Sequence, residues 1–163
     1  MKRLIAALAV TLVLAGCAPV SPGPNPLGLN NKAEPQTYDC SGDDVTFNEP
    51  GVTYVVNGTC GEVTIEGEGI TVGIARADRL VIRGDDNGVT AGTVGSVLIN
   101  GQGNEVDSGG DDTVTAVEIA GDGNRVSAEG AIESVVVNGN DNLTESEDSI
   151  GTVSDNGSGN STD

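Results

Sequence analysis

Histidine and tryptophan are absent from the 163 residues, and Phe47, Tyr38 and Tyr54 are the only aromatics. Without His there is no imidazole for a Ser-His triad or a mixed Cys/His metal site. With so few rings there is almost nothing on which a sugar could stack. Large cores draw on aromatics and leucines, so a core here must be narrow and filled by Val, Ile and Leu. Cations are scarce as well, with 7 Lys and Arg against 25 Asp and Glu. Phosphate recognition needs cationic partners, so the balance excludes nucleic acid. It also excludes lying flat on anionic lipid, and it fits solubility, cation binding or a basic partner.

No apolar run is long enough to span a bilayer, which takes about 20 residues. The longest, Leu4 to Leu14, follows Lys2 and Arg3 and has the form of a secretory h-region. It ends in Leu14-Ala15-Gly16-Cys17. This resembles the bacterial lipobox, in which the cysteine takes a diacylglyceryl group and becomes the first residue after cleavage. That resemblance implies a lipid-anchored protein on the outer face of a cell membrane or cell envelope. Two or three acyl chains hold stably where one is marginal. Ala18 is not an acidic residue of the kind that would argue for inner-membrane retention. Pro19, Pro22, Pro24, Pro26 and Pro35 then make a stiff, extended spacer. After cleavage the chain keeps Lys32, Arg76, Arg79, Arg83 and Arg125 against 25 acids, a formal charge of 5 − 25 = −20.

Besides Cys17 there are two cysteines, Cys40 and Cys60. An even pair in an exported protein is a disulfide by default. The other reading, a metal or redox pair, lacks a third thiol, a His and a Cys-x-x-Cys.

What is abundant is a repeat. Val97-Leu98-Ile99-Asn100-Gly101-Gln102-Gly103-Asn104-Glu105-Val106 returns as Val117-Glu118-Ile119-Ala120-Gly121-Asp122-Gly123-Asn124-Arg125-Val126. The first apolar position recurs at Val45, Val63, Leu80, Val97, Val117, Val135 and Val153, in steps of 18, 17, 17, 20, 18 and 18 residues. Two residues on stand Phe47, Ile65, Ile82, Ile99, Ile119, Val137 and finally Asp155. This alternation is a strand signal. The residues between (Thr46, Thr64, Val81, Leu98, Glu118, Val136 and Ser154) are expected to face solvent. Gly67, Gly84, Gly101, Gly121, Gly139 and Gly157 close the strands and are expected to supply the positive φ of a tight corner. Asn87, Asn104, Asn124, Asn142 and Asn160 follow three residues later, placed to form an amide ladder between coils. A second apolar column runs Val72, Val89, Val106 and Val126, weakening to Thr144 and Thr162. A third includes Val94, Val114, Ile132 and Ile150.

These features predict an all-β fold, a short parallel β-solenoid of about 18-residue coils. An antiparallel sandwich also has short strands and frequent turns, but it does not require corner chemistry at constant phase. The Cys40–Cys60 pair, one repeat apart, is expected to bridge adjacent coils and cap the bottom. The predicted organisation is 1–16 lipoprotein signal peptide, 17–37 lipid-anchored tether, 38–155 solenoid and 156–163 disordered acidic tail.

Several chemistries can be weighed. Parallel solenoids host polysaccharide lyases and hydrolases, which need paired carboxylates in a long groove and sugar platforms. Here the acids fall in corners, so a carbohydrate-active enzyme is disfavoured and no catalytic residue is assigned. Asp85, Asp86, Asp122 and Asp141 offer hard oxygen ligands, and a calcium-binding β-roll is the main alternative to a cofactor-free protein. Its Gly-Gly-x-Gly-x-Asp pattern is not matched, because Asn follows Gly and the acid precedes it. An ice-binding Thr array is broken by Val81, Leu98 and Glu118. There remains a structural or partner-binding module of the envelope, held to the membrane through Cys17 and presented to an envelope protein or the cell wall.

From Cys40 to about Asn142 the chain is similar to domain of unknown function 3060, a small actinobacterial family of exported and lipid-anchored proteins. The residues that carry the resemblance are Cys40, then Gly58-Thr59-Cys60-Gly61-Glu62-Val63-Thr64-Ile65, then the repeats of Val-x-Gly-x-x-Asn-x-Val type. Ile70 stands where the first Asn belongs, and the Gly101 to Gly121 step is long, so those coils are expected to bulge. The resemblance implies location and architecture and no activity.

Overall fold

The computed structural model describes residues 34–163, and these contain strands and no helix. The expected signal peptide, Cys17 and most of the expected tether lie outside the described residues. In chain order the strands are β1 (Gln36–Ser41), β2 (Val45–Phe47), β3 (Thr53–Ile65), β4 (Thr71–Ile82), β5 (Gly88–Val94), β6 (Ser96–Asn100) and β7 (Glu105–Ser108). They continue as β8 (Ala116–Ala120), β9 (Arg125–Ala128), β10 (Ile132–Asn138), β11 (Leu143–Ser146), β12 (Ile150–Asp155) and β13 (Ser161–Thr162). Every pairing is parallel, and each joins one coil to the next. The chain therefore winds a parallel β-solenoid of about seven turns.

The registers reproduce the sequence columns residue for residue. One sheet face stacks Val45, Val63, Leu80, Val97, Val117, Val135 and Val153, with Phe47 to Asp155 alongside. A second stacks Tyr54, Val72, Val89, Val106, Val126, Thr144 and Thr162. A short third side carries Cys60, Ala77 and Val94, then Val114, Ile132 and Ile150. Inward residues such as Ile65, Ile82, Ile99 and Ile119 are wholly buried. Each burial of this kind contributes about 1.5–3 kcal/mol, but only because a coil lies above and below. The extra residues of the long step fall at 109–113, between β7 and Val114. There Asp112 reaches Arg76 and Thr93, so the bulge sits at a corner and leaves the strand registers intact.

Four expectations are corrected. The corner glycines do not all supply positive φ; of Gly67, Gly84, Gly101, Gly121, Gly139 and Gly157 only Gly121 has it. They are required by close approach: a Cβ on Gly84, Gly101, Gly121, Gly139 or Gly157 would overlap the carbonyl oxygen of the corner glycine one coil earlier. The left-handed residue is two positions later, at Gly69, Asp86, Gly103, Gly123, Asp141 and Gly159. Second, the outward column is not uniformly solvated. Val81 and Thr64 are buried, 1% and 5% exposed. They lie between the Arg79–Glu62 and Arg83–Glu66 pairs, whose long side chains can cover apolar neighbours.

The third correction concerns the expected disordered tail at 156–163. Ser161 and Thr162 pair with Leu143 and Thr144, and Asn160 continues the amide ladder. The repeat of corner chemistry, Gly157-Ser158-Gly159-Asn160, outweighs the polar composition. At the other boundary Gln36 and Thr37, assigned to the tether, are already paired with Tyr54 and Val55.

Candidate functional site

The corner that joins the first face to the second is the most regular chemical feature. In each coil the Asn turns inward. Asn87, Asn104, Asn124 and Asn142 each donate Nδ2–H to Oδ1 of the Asn one coil on, at 3.0 to 3.1 Å. Their backbone N–H groups donate to the same oxygens. Each Nδ2 also donates to a corner glycine carbonyl of the preceding coil. Ile70, in the Asn position of the first corner, begins the ladder by donating its N–H to Asn87 Oδ1. A buried amide must be paired to avoid a desolvation cost, and stacking identical coils satisfies every one of these groups at once.

The candidate calcium ligands are on this corner but do not converge. Asp85 and Asp122 occupy its second position, with Gln102 in the coil between them; Asp86 and Asp141 occupy its third, separated by Gly103 and Gly123. Asp85 Oδ1 accepts the Gln102 N–H at 2.8 Å, and Asp122 Oδ1 accepts the Asn140 N–H at 2.7 Å. Asn140 Oδ1 in turn accepts from Ser158. Asp122, Asn140 and Ser158 thus link three successive coils beside the asparagines, and Asp85 links its coil to the next. Asp86 and Asp141 hold the left-handed position, both with φ 55°, which short polar residues tolerate better than others. Among the described residues no group of three or more carboxylates or thiols is arranged to hold a metal ion.

The Cys40–Cys60 disulfide forms, with Cα atoms 5.0 Å apart on adjacent coils. The third side thereby continues to the bottom of the stack. Gly58 makes room for it; it has φ 77° and a Cβ there would overlap the Cys40 carbonyl, and the β3–β4 register shifts nearby. Beside the bridge all three aromatics meet. Phe47 stacks on Tyr54 at 4.2 Å, and Tyr38 meets both edge-on at 5.2 and 5.9 Å. Burial pushes the Tyr54 phenol up from its ordinary value, and Glu49 adds to the rise. This aromatic cap was not expected from the repeat. Its signal was that every aromatic precedes residue 55, where the repeat is least regular.

Asp155 is a second residue whose role the pattern hid. It occupies a core column, yet its Oδ1 accepts from Gly157 N–H and from Asn160 Nδ2. In lower coils that Nδ2 serves the next asparagine, so Asp155 closes the ladder where the asparagines stop.

A groove of about 420 Å³ runs along the second face in the upper coils. Asp107, Glu129, Glu145 and Glu147 line it, and Arg125 crosses to Glu145 at 2.6 Å. Its floor is Ser108, Ala128 and Ser146, where lower coils carry Ile74 and Ala91. The arrangement is polar and acidic, with no ring to stack a sugar. All four described arginines are engaged in ion pairs, with Asp112, Glu62, Glu66 and Glu145. Being exposed, each pair contributes only about 0–1 kcal/mol.

No helix among the described residues is long and apolar enough to cross a membrane. Comparison with curated proteins and with solved structures yields no match. The stretch from Gly51 to Glu105, which holds β3 to β6 and the start of the asparagine ladder, matches a family model, and the family is described as Protein of unknown function (DUF3060).

Proposed function

We propose that the protein is exported, is anchored by lipid at Cys17 to the outer face of the cell envelope, and acts there as a rigid structural or partner-binding rod. One observation carries the reading. Cys40 and Cys60 are bonded to each other, which leaves Cys17 as the remaining thiol of three, at the end of an apolar run and in a lipobox-like setting. The disulfide also suits an oxidising compartment. The reading assigns no catalysis, no nucleic acid and no cofactor, and its partner is an envelope protein or the cell wall. The acidic corners serve the stack: Asp85 and Asp122 accept N–H groups from the coil above.

The test is metabolic labelling with a palmitate analogue in a bacterium that processes lipoproteins. The intact chain should take label and partition into detergent, and Cys17→Ser should lose both. Unlabelled, soluble protein with Cys17 intact would overturn the proposal. A calcium titration decides the cofactor question. Stability unchanged by millimolar calcium or a chelator supports the cofactor-free reading, whereas folding that requires calcium would replace it with the β-roll.

A further inference from the structure

The two ends of the rod differ. At the bottom the core is closed by the aromatic cluster and the disulfide, and Phe47 and Tyr54 are each 2% exposed. At the top one edge of β12 and one of β13 face no strand among the described residues, as is also true of β1 and β2 at the bottom, so the ends differ in how the core is covered. Val153 occupies the column in which Val63, Leu80, Val117 and Val135 are 0–1% exposed, yet it is 47% exposed. Ile150, in the third-side column, is half-buried. An unpaired edge with an apolar residue in core register is a template for an added strand.

Charge selects the occupant. From Val126 to Asp163 there is no Lys or Arg, while Glu129, Glu133, Asp141, Glu145, Glu147, Asp148, Asp155 and Asp163 are all acidic. The bottom coil carries Asp39, Asp43, Asp44 and Glu49. A second copy stacking head to tail would bring two acidic ends together, with no Lys or Arg among the described residues of either end. An extended basic strand meets the opposite sign and gains from it.

We propose that the open end formed by β12 and β13 binds an extended, lysine- or arginine-bearing segment of a partner protein by strand addition. One of its apolar side chains packs on Val153, and its basic ones face Asp148 and Asp163. This narrows the partner-binding reading above and rests on it. With the anchor at Cys17, the chain enters at the β1 end, opposite β12 and β13.

The probe is a synthetic peptide alternating lysine and valine, presented to the full chain in detergent. Fluorescence anisotropy measures affinity and amide exchange locates the contact. Binding should be saturable, weaken as salt rises, and protect β12 and β13. Val153→Lys, and separately the double change Asp148→Asn with Asp163→Asn, should each weaken it by about tenfold or more. A peptide with proline at alternate positions, which cannot donate to the edge, should bind at least about tenfold more weakly. Glu118→Lys, on an outer sheet face, should leave affinity unchanged.

Equal binding of the proline peptide, or protection confined to the groove or corners, would show simple charge attraction and overturn the proposal. No binding would mean that the acids only blunt the edge. Self-association protecting β12 with β1 would identify a second copy as occupant, and protection of β12 in the free monomer would identify the chain's own N-terminal segment. Either result overturns the proposal too. Failure here with palmitate labelling intact leaves the anchored rod standing, and loss of labelling with peptide binding intact does the reverse.

Discussion

If the asparagine ladder holds the coils together, an interior rung should cost far more to remove than the last one. Asn104 is 1% exposed. Its Nδ2 donates to Gly84 O at 2.9 Å and to Asn124 Oδ1 at 3.0 Å, and its Oδ1 accepts from both Asn87 N–H and Asn87 Nδ2 at 3.0 Å. Asn104→Ala strips the Asn87 N–H of its acceptor and the Gly84 carbonyl of a donor, in a place water does not reach. Each orphaned buried group costs about 1–3 kcal/mol, so the substitution should cost about 2–6 kcal/mol. Asn160 is only part-buried, and water can replace much of what it offers; Asn160→Ala should cost about 1 kcal/mol or less. Urea unfolding followed by far-ultraviolet circular dichroism, with the disulfide intact, measures both. The denaturant slope should be checked, because a damaged repeat array can lose cooperativity and unfold in parts. Faster amide exchange at Asn87 would place the damage where the structure puts it. Equal costs for the two variants, within about 0.5 kcal/mol, would refute the ladder as a source of stability.

Other perturbations test separate parts of the fold. Gly101→Ala should prevent the coils from closing, since its Cβ would overlap the Gly84 carbonyl, whereas Gly88→Ala meets nothing within 4 Å and should be neutral or slightly stabilising in thermal melts. Thr144 Oγ1 is buried with no hydrogen-bond partner, so Thr144→Val, which extends the Val106–Val126 column, should raise stability by about 1 kcal/mol; a loss would mean the hydroxyl is satisfied in solution. Replacing both Cys40 and Cys60 by Ser should cost about 3 kcal/mol by the loop-entropy argument, given a separation of 20 residues, and exchange should show fraying that begins at β1. The raised Tyr54 phenol gives a contribution complete below its ordinary 10.0 and lost as pH rises through the folded value, because the unfolded state ionises first. Tyr54→Phe should therefore flatten the alkaline end of the stability curve above that pH.

Much of the architecture was legible in residue order. The column from Val45 to Val153 is the observed register, and so are the asparagine corner and the Cys40–Cys60 pairing on neighbouring coils. The four aspartates were legible as corner residues, and the structure shows what two of them do: Asp85 and Asp122 accept the N–H groups of the following coil. Composition misled at the tail. Gly, Ser and Asn there resemble a solvated segment, but at this phase they are the next corner.

Sequence by itself determined the period, the inward columns and the residue types at each corner. These are local properties: alternation sets which side chains share a face, and a strict period can be satisfied only by stacking. The tertiary structure alone decided why each corner glycine is needed, which position is left-handed, how Val81 and Thr64 come to be covered, and that Asp155 closes the ladder. Each of these depends on atoms that the neighbouring coil brings close across 17 or more residues of chain, or, for Asp155, on the turn that brings Gly157 and Asn160 back onto its carboxylate. Spacing along the chain shows that such contacts must occur, but the fit of one coil on another decides what they are.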